Sequence, residues 1–262
     1  MNENFSSHYI NEGPLIATAI HNGHEIRDEL IPFLNLSEAE RLREEDLFTS
    51  SWVTVGNTQI IVNRSRFEVD INRPRDKAIY LEPDDSWGLQ TWRIPLDEDC
   101  VNRSNALYDD FYANLYKKLK KKQDRHGKFV VFDIHSYNHR RDGPNEAKAD
   151  PKKNPDINVG TSNMNERLWR PLVNRFISDC RSYSVHGRQL DVRENVKFKG
   201  GHMARWIHNN FPDSGLALAI EVKKFYMDEW TGQPYQAEID FIRQALTSTT
   251  KGVLQELEKL QT

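Results

Sequence analysis

The 262-residue chain has few cysteines, little net charge and no long apolar run. No stretch approaches the roughly 18 apolar residues of a membrane-spanning helix, and residues 1–10 lack the apolar core of a signal peptide. Cys100 and Cys180 are isolated, which argues against a disulfide framework. A formal net charge of -3 gives no reason to expect nucleic acid or an anionic membrane as a partner. We therefore expect a cytoplasmic protein; nothing in the composition indicates its oligomeric state.

Short apolar segments alternate with helical patterns along the chain. Residues 129–138, FVVFDIHSYN, begin with a short run of aromatic and β-branched side chains, which is typical of a buried strand. Residues 14–20 and 216–222 have the same character, and helical spacing of apolar residues predicts helices at about 103–122 and 163–182. This alternation predicts a single α/β domain spanning the chain, with a mixed, mostly parallel sheet flanked by helices.

Weaker patterns predict further elements. Ser37 and Glu40 have the spacing of a capping box, which predicts a helix through about residue 45. The polar segment 138–162 is long for a loop in a compact domain, and such loops are usually functional or mobile. The remaining expected elements are strands at 52–55, 58–62, 67–71 and 192–199, a helix that opens at Gly200-Gly201, and two C-terminal helices that divide near residues 249–252.

Three histidines lie where strands are expected to end. His21 and His24 are three residues apart after the first apolar strand, and His135 follows the central one. Because chemistry in open α/β sheets gathers at the carboxyl ends of strands, the three imidazoles could meet there. Three protein ligands with one open position are the pattern of a catalytic zinc site. Glu25 is a competing ligand, and the alternative is that these are ordinary surface or capped histidines.

Three other side chains near strand ends have possible chemical roles. Glu221 interrupts an apolar strand, where a carboxylate is costly unless it is paired, metal-bound or catalytic; it would be a general base, or it reaches solvent or a neighbouring lysine. Asp133 is a candidate for orienting His135. Tyr226 is a candidate proton donor or oxyanion partner, and a core tyrosine is the alternative.

The segment NRSRFEVDINRPR is rich in arginine. The planar guanidinium group binds carboxylates through a two-pronged fork, so Arg66 and Arg73, with Asn72 between them, suit an acidic substrate. The alternative is that these are surface arginines paired with nearby carboxylates such as Asp70.

Four segments together resemble the zinc carboxypeptidase superfamily and, within it, the N-formylglutamate amidohydrolase family. Residues 19–24 resemble its first metal motif, although the glutamate usual at position 24 falls one residue later, at Glu25. Ile134-His135-Ser136-Tyr137 resembles the motif of the last ligand, residues 69–73 the carboxylate-binding segment, and Ala219-Ile220-Glu221 the strand of the catalytic glutamate. Ser65-Arg66 ahead of the Asp-x-Asn-Arg-Pro segment resembles the amidohydrolases rather than the carboxypeptidases.

The resemblance implies a fold, a reaction and a set of site residues. The fold would be carboxypeptidase-like, of the phosphorylase/hydrolase type, and the reaction would be zinc-dependent hydrolysis of N-formyl-L-glutamate, a small molecule, to formate and L-glutamate. It implies one zinc ion (or another divalent ion) per chain, with Glu221 as the base and Arg66, Asn72 and Arg73 holding the substrate. The implied ligands are His21, His24 and His135, with Glu25 as an alternative to His24. Two other functions stay open: hydrolysis of another N-acyl amino acid or a peptide C-terminus, and non-catalytic carboxylate binding.

Overall fold

The computed structural model describes residues 5–260, and a seven-stranded sheet forms its centre. The strands are β1 (Ser6–Ile10), β2 (Leu15–Ala19), β3 (Thr58–Val62), β4 (Phe129–Tyr137), β5 (Ile157–Gly160), β6 (Val192–Glu194) and β7 (Gly215–Lys223). Their order in the sheet is β1-β3-β2-β4-β7-β5-β6. Neighbours pair in parallel except β1 with β3 and β5 with β7. The predicted α/β fold with a mixed, mostly parallel sheet is thus confirmed.

Helices cover both faces of the sheet: α1 (Glu38–Glu44), α2 (Glu98–His126), α3 (Glu166–Ser182), α4 (His202–Asn210) and α5 (Gln236–Lys259). The apolar residues of α3 and α5 share one core cluster and those of α2 and α4 share another. Successive side chains of a strand point to opposite faces, so each central strand contributes to both clusters. Val130 and Phe132 of β4 enter the first, and Phe129 and Val131 enter the second.

The order and register of the central strands position the site. β2, β4 and β7 are adjacent and parallel, so their carboxyl ends meet at one edge of the sheet. His135 of β4 lies directly opposite Glu221 of β7, and Asp133 lies opposite Thr18 of β2. His21 follows β2 by two residues. The sheet therefore delivers two of the predicted histidines and the predicted glutamate to the same edge.

Several predicted elements are confirmed in place and type. β2 lies within residues 14–20, β3 coincides with residues 58–62, and β7 includes residues 216–222. The helix α1 begins with the predicted capping box between Ser37 and Glu40. Both helices of the central region are present, although α2 is longer than predicted because Asp97 caps its N-terminus by accepting a hydrogen bond from the Cys100 amide. Cys100 and Cys180 are buried free thiols, and no described helix could cross a membrane.

Three predicted strands are wrong or too long. The stretch 52–55 forms a short 3-10 helix, Val53–Val55, because Trp52 is buried and its Nε1 donates to the carbonyl of Ile239. Residues 67–71 form a turn in which amides bond back to the carbonyl of Ser65. The strand expected at 192–199 ends at Glu194.

The C-terminal helix is a single element, in contrast to the predicted pair. α5 continues through Gly252, and a Cβ atom at that position would lie 1.9 Å from Oδ2 of Asp179 on α3. Glycine therefore permits close packing of two helices here instead of ending one of them. The long segment 138–162 likewise contains a regular element, β5.

Candidate functional site

Three buried side chains form a candidate metal site at the carboxyl edge of the sheet. His21, Asp46 and His135 each offer one ligand atom, and these atoms all lie within 4.8 Å of one another. Oδ2 of Asp46 lies 3.1 Å from Nδ1 of His135 and 3.4 Å from Nδ1 of His21. Two imidazole nitrogens and one carboxylate, leaving room for a fourth ligand, are a donor set that catalytic zinc uses.

Asp46 is held from two sides. Its backbone amide donates a 2.9 Å hydrogen bond to the carbonyl of His21, which ties the segment after α1 to the end of β2. The buried ammonium of Lys224 donates to the carbonyls of Arg43 at 2.6 Å and Glu45 at 2.8 Å. These carbonyls lie at the end of α1, where helical partners are lacking. Lys224 therefore fixes the backbone that carries Asp46.

A buried carboxylate contacts the outer nitrogen of each histidine. Nε2 of His21 lies 2.8 Å from Oδ1 of Asp70, and Nε2 of His135 lies 3.0 Å from Oδ1 of Asp133. Asp133 in turn accepts a 3.0 Å hydrogen bond from the Thr18 hydroxyl. Histidines that bind metals usually donate their other ring N–H to such a group, which sets the tautomer and the ring orientation. Both Nδ1 atoms are thus available toward the centre of the cluster.

The charges around the two imidazoles favour a cation. Burial alone would raise the pKa of Asp46, but hydrogen bonds from His135 and His21 outweigh it and hold the pKa well below its ordinary value. Burial likewise opposes ionisation of Asp70, and the charges of His21 and Arg66 lower its pKa well below the usual range. Burial lowers the pKa of His135, but Asp133 and Asp46 raise it well above its ordinary value. The buried carboxyl groups of Asp46, Asp70 and Asp133 outnumber the two imidazoles. Such an excess of acidic groups suits a divalent ion, so the residues present fit the implied metal.

His24 and Glu25 lie outside this cluster. Nδ1 of His24 lies 2.5 Å from Oε2 of Glu45, and its Nε2 lies 2.9 Å from Arg41. Glu25 is exposed, and its backbone forms hydrogen bonds with Asn63 and Ser65. The structure therefore brings together two of the three predicted histidines and places Asp46, which the sequence did not single out, where His24 was expected.

Glu221 lies beside the cluster and lines the same cavity. Within residues 5–260 its carboxylate makes no hydrogen bond or ion pair, because Lys223 pairs with Asp156 and Lys224 with backbone carbonyls. Burial raises the pKa of Glu221 to about 7, with Asp46 and Asp133 adding to the shift and His135 opposing it. A carboxyl group with a pKa near neutrality can both accept and return a proton, as a general acid–base residue must.

The site opens into a cavity of about 640 Å³ whose wall is strongly basic. Seven basic residues and three acidic residues line it. The basic residues are Arg66, Arg73, Arg141, Lys197, Lys199, Arg205 and Lys224, and the acidic residues are Glu44, Asp46 and Glu221. The excess of cations suits an anionic ligand. The walls come from the segment around residue 70, the ends of β4 and β7, and the residues preceding α4.

The family model of N-formylglutamate amidohydrolase matches residues 13–227, most of the chain. The chain belongs to the N-formylglutamate amidohydrolase family. It is therefore a member of a hydrolase family that acts on an amide, and the edge of the sheet that holds the clustered side chains falls inside the matched region.

Two solved structures show the same fold. N-formylglutamate amidohydrolase from Ralstonia eutropha JMP134 superposes with a TM-score of 0.76 at 17% identity, covering 98% of this chain and 99% of that one. A gene product of Agrobacterium tumefaciens gives a TM-score of 0.66 at 17% identity, covering 95% and 96%. A metallo-carboxypeptidase from Burkholderia cenocepacia gives 0.39 at 16% identity, covering 98% and 61%. No curated protein matches the chain.

The three predicted substrate-binding residues of this amidohydrolase all line the cavity, but their contacts differ. Arg66 forms an ion pair with Asp70 at 2.7 Å, so it supports the carboxylate that contacts His21. Arg73 makes no ion pair with any described residue; its Nη2 lies 3.4 Å from a backbone carbonyl. Asn72 accepts a hydrogen bond from the amide of Met203 through Oδ1, which directs its NH₂ group toward the site.

Tyr226 is placed in the core of the amidohydrolase and does not line the cavity. Its hydroxyl donates a 3.0 Å hydrogen bond to the carbonyl of Leu47, and its ring packs edge-on against Trp52 with centroids 4.8 Å apart. The side chain is fully buried. These contacts are those of the core tyrosine that the sequence left open as the alternative.

The residue missed by the sequence reasoning is Asp46. It is the last residue of the acidic run Glu44-Glu45-Asp46 at the end of a short helix. Such a run is usually a solvated surface. The only signal in the sequence was the run of three carboxylates itself. The structure shows that all three side chains are buried. Only the tertiary contacts of the segment after α1, such as the hydrogen bond from the Asp46 amide to the carbonyl of His21, decide which of them faces the histidines.

Proposed function

We propose that this chain is a zinc-dependent amidohydrolase that converts N-formyl-L-glutamate and water to formate and L-glutamate. The main support for this proposal is the buried cluster of His21, Asp46 and His135, in which Nδ1 of each histidine faces Asp46 and beside which Glu221 lies. Family membership supports amide hydrolysis, and the basic wall supports an acidic substrate. The buried free thiols of Cys100 and Cys180 suit the reducing cytoplasm in which we propose that it acts.

One metal ion per chain would be held by Nδ1 of His21, Nδ1 of His135 and a carboxylate oxygen of Asp46. In this proposal Asp46 replaces His24 and Glu25 as the third protein ligand. When bound, zinc would supply Lewis-acid chemistry, polarising a carbonyl and lowering the pKa of water. Asp70 and Asp133 hold the two imidazoles in the orientation that this requires.

Glu221 moves the proton in the proposed reaction. Its carboxylate takes a proton from the attacking water as the water oxygen bonds to the formyl carbon, and then gives that proton to the nitrogen as the C–N bond breaks. The products are formate and the free amine of glutamate. A pKa near 7 suits both halves of this cycle at neutral pH.

Arg73 and Asn72 hold a substrate carboxylate in this proposal. Arg73 offers an unpaired guanidinium fork on the cavity wall, and the NH₂ group of Asn72 lies 3.4 Å from Nε2 of His135. Together they would fix the distance between the carboxylate and the scissile amide. Arg66 contributes indirectly, by pairing with the Asp70 that orients His21.

The size of the cavity favours one second candidate. A volume of about 640 Å³ lies well within the range for drug-sized ligands. A longer acyl group, or the last residues of a peptide, would also fit. Hydrolysis of another N-acyl amino acid or of a peptide C-terminus is therefore the alternative that deserves a direct assay.

The test is a metal and activity measurement on four proteins. Wild type, His135→Ala, Glu221→Gln and the control Lys251→Ala, whose lysine is an exposed α5 residue, are loaded with zinc and assayed for formate release from N-formyl-L-glutamate. We expect about one zinc per chain in all but His135→Ala. We expect activity lowered by about 10²–10⁴-fold in Glu221→Gln, the usual contribution of a general base.

Two outcomes would contradict the proposal in different ways. Wild-type protein that binds no zinc would leave the histidines structural. Zinc-loaded protein that binds N-formyl-L-glutamate but releases no formate would indicate a carboxylate-binding protein. A panel including N-acetyl-L-glutamate and C-terminal dipeptides would identify the second candidate.

A further inference from the structure

Most of the cavity's basic side chains already have partners within the protein. Arg66 pairs with Asp70 at 2.7 Å, and Arg141 pairs with Glu44 at 3.0 Å. The ammonium of Lys224 donates hydrogen bonds to two backbone carbonyls. Lys197 donates to the Asn154 side chain at 2.6 Å and lies over two aromatic rings. Besides Lys224, the lining cations that make no ion pair and no hydrogen bond to another side chain among residues 5–260 are Arg73, Lys199 and Arg205.

Arg205 differs from Lys199 in how firmly it is placed. Nη1 of Arg205 donates a 2.7 Å hydrogen bond to the carbonyl of Gly200, and the partly buried guanidinium has no carboxylate partner in the described chain. That single contact orients the fork and leaves Nη2 free to donate. Lys199 is exposed, with a flexible side chain whose ammonium can stay in water.

The position of Arg205 is coupled to the segment that carries Arg73. The amides of His202 and Met203, at the start of α4, donate to the backbone carbonyl and to Oδ1 of Asn72 at 3.2 and 3.0 Å. A Cβ atom at Gly201 would lie 2.3 Å from the Asn72 amide group, so only glycine allows this approach. The two unpaired arginines therefore sit on two segments that are bonded directly to each other.

We propose that Arg205 binds the second carboxylate of a dicarboxylic substrate, while Arg73 and Asn72 bind the first. This inference rests on the proposed function and names its selectivity determinant. N-formyl-L-glutamate carries two carboxylates, and a bidentate arginine pair can hold each of them. A substrate whose side chain is neutral leaves the guanidinium of Arg205 desolvated and unpaired, which penalises binding.

The experiment compares two ligands that differ only in the charge of the side chain. Dissociation constants for N-formyl-L-glutamate and N-formyl-L-glutamine are measured by calorimetry in a Glu221→Gln background. Binding can be read there whether or not the chain is a hydrolase. The variants are Arg205→Met, Arg205→Lys, Arg73→Met and, as the matched control for loss of one cavity charge, Lys199→Met. Circular dichroism confirms that each variant is folded.

The proposal predicts a specific pattern of affinities. Arg205→Met should weaken N-formyl-L-glutamate by about 30–100-fold, the range for a lost charge-assisted hydrogen-bonded pair, and change N-formyl-L-glutamine by less than about threefold. Arg205→Lys should retain part of the preference, because the charge stays while the fork is lost. Arg73→Met should weaken the binding of both ligands. Lys199→Met should leave the ratio of the two dissociation constants near that of the parent protein.

Two results would overturn the assignment of Arg205. The first is equal weakening of both ligands in Arg205→Met, which would make the residue structural. The second is an unchanged preference for N-formyl-L-glutamate over N-formyl-L-glutamine in Arg205→Met together with loss of that preference in Lys199→Met. This result would assign binding of the second carboxylate to Lys199. Failure of the proposed function gives a separate signal: absence of formate release in the protein with Glu221 intact, whatever the affinities.

Discussion

Oδ1 of Asp70 lies 2.8 Å from Nε2 of His21, and this contact sets which nitrogen of the imidazole faces Asp46. The other oxygen of Asp70 accepts hydrogen bonds from Arg66 and from the Tyr80 hydroxyl. The carboxylate is fully buried, so it depends on these partners to stay ionised. A short chain of contacts thus runs from the basic cavity wall to the candidate metal site.

We expect Asp70→Asn to weaken zinc binding by about 10–100-fold, the usual effect of removing the partner of a ligating histidine. An amide cannot stabilise the imidazole as a carboxylate does, and it leaves Arg66 without its ion pair. Competition with a fluorescent chelator measures the affinity. Asp109→Asn, which removes an exposed carboxylate paired with Arg75, is the control. Equal affinities in the two variants would show that Asp70 has no role in orienting His21.

The identity of the third protein ligand is tested by two single variants. Asp46→Ala should lose most of the bound zinc, because it removes one of three protein ligands. His24→Ala should retain about one zinc per chain, because His24 is bonded to Glu45 and Arg41 outside the cluster. Elemental analysis after dialysis measures both. Loss of zinc in His24→Ala with retention in Asp46→Ala would restore the ligand set that the sequence predicted.

Lys224→Met should destabilise the protein by about 2 kcal/mol. The substitution leaves the carbonyls of Arg43 and Glu45 without their buried donor, and an unsatisfied buried group costs about 1–3 kcal/mol. Relief of the desolvated charge offsets part of this cost, since burial already lowers the pKa of Lys224. Urea unfolding measures the difference, with the exposed Lys251→Met as the control. Stability equal to the control would mean that the carbonyls find other donors.

Glu221 should make the metal-free protein less stable as the pH rises. Its folded-state pKa, about 7, lies above the unfolded value of 4.5, so the folded state binds the proton more tightly. The resulting stabilisation is full below about pH 4.5 and is lost as the pH rises through 7. Relative to Glu221→Gln, wild type should therefore lose up to about 3 kcal/mol between those limits. Urea unfolding in EDTA at pH 5 and pH 8 measures the change; parallel behaviour of both proteins would contradict it.

The sequence determined the fold class and the strands that carry the chemistry. The apolar runs that became β2, β4 and β7 are buried on both faces of the sheet, and such strands read as continuous apolar segments. A polar residue at or beyond the end of such a run is conspicuous, which is why His21, His135 and Glu221 could be selected. The capping box of α1 was equally readable because it is a local contact.

Only the tertiary structure decided which acidic residue joins the histidines and which arginines remain unpaired. Asp46 reaches the site because Lys224 and the His21 carbonyl fix a segment that has no strand pattern of its own. Arg66 and Arg73 look alike in sequence, yet one is paired with Asp70 and the other is not. Local periodicity reports which face of an element is apolar. It carries no information on contacts between residues distant in the chain, and those contacts set ligand geometry and charge pairing.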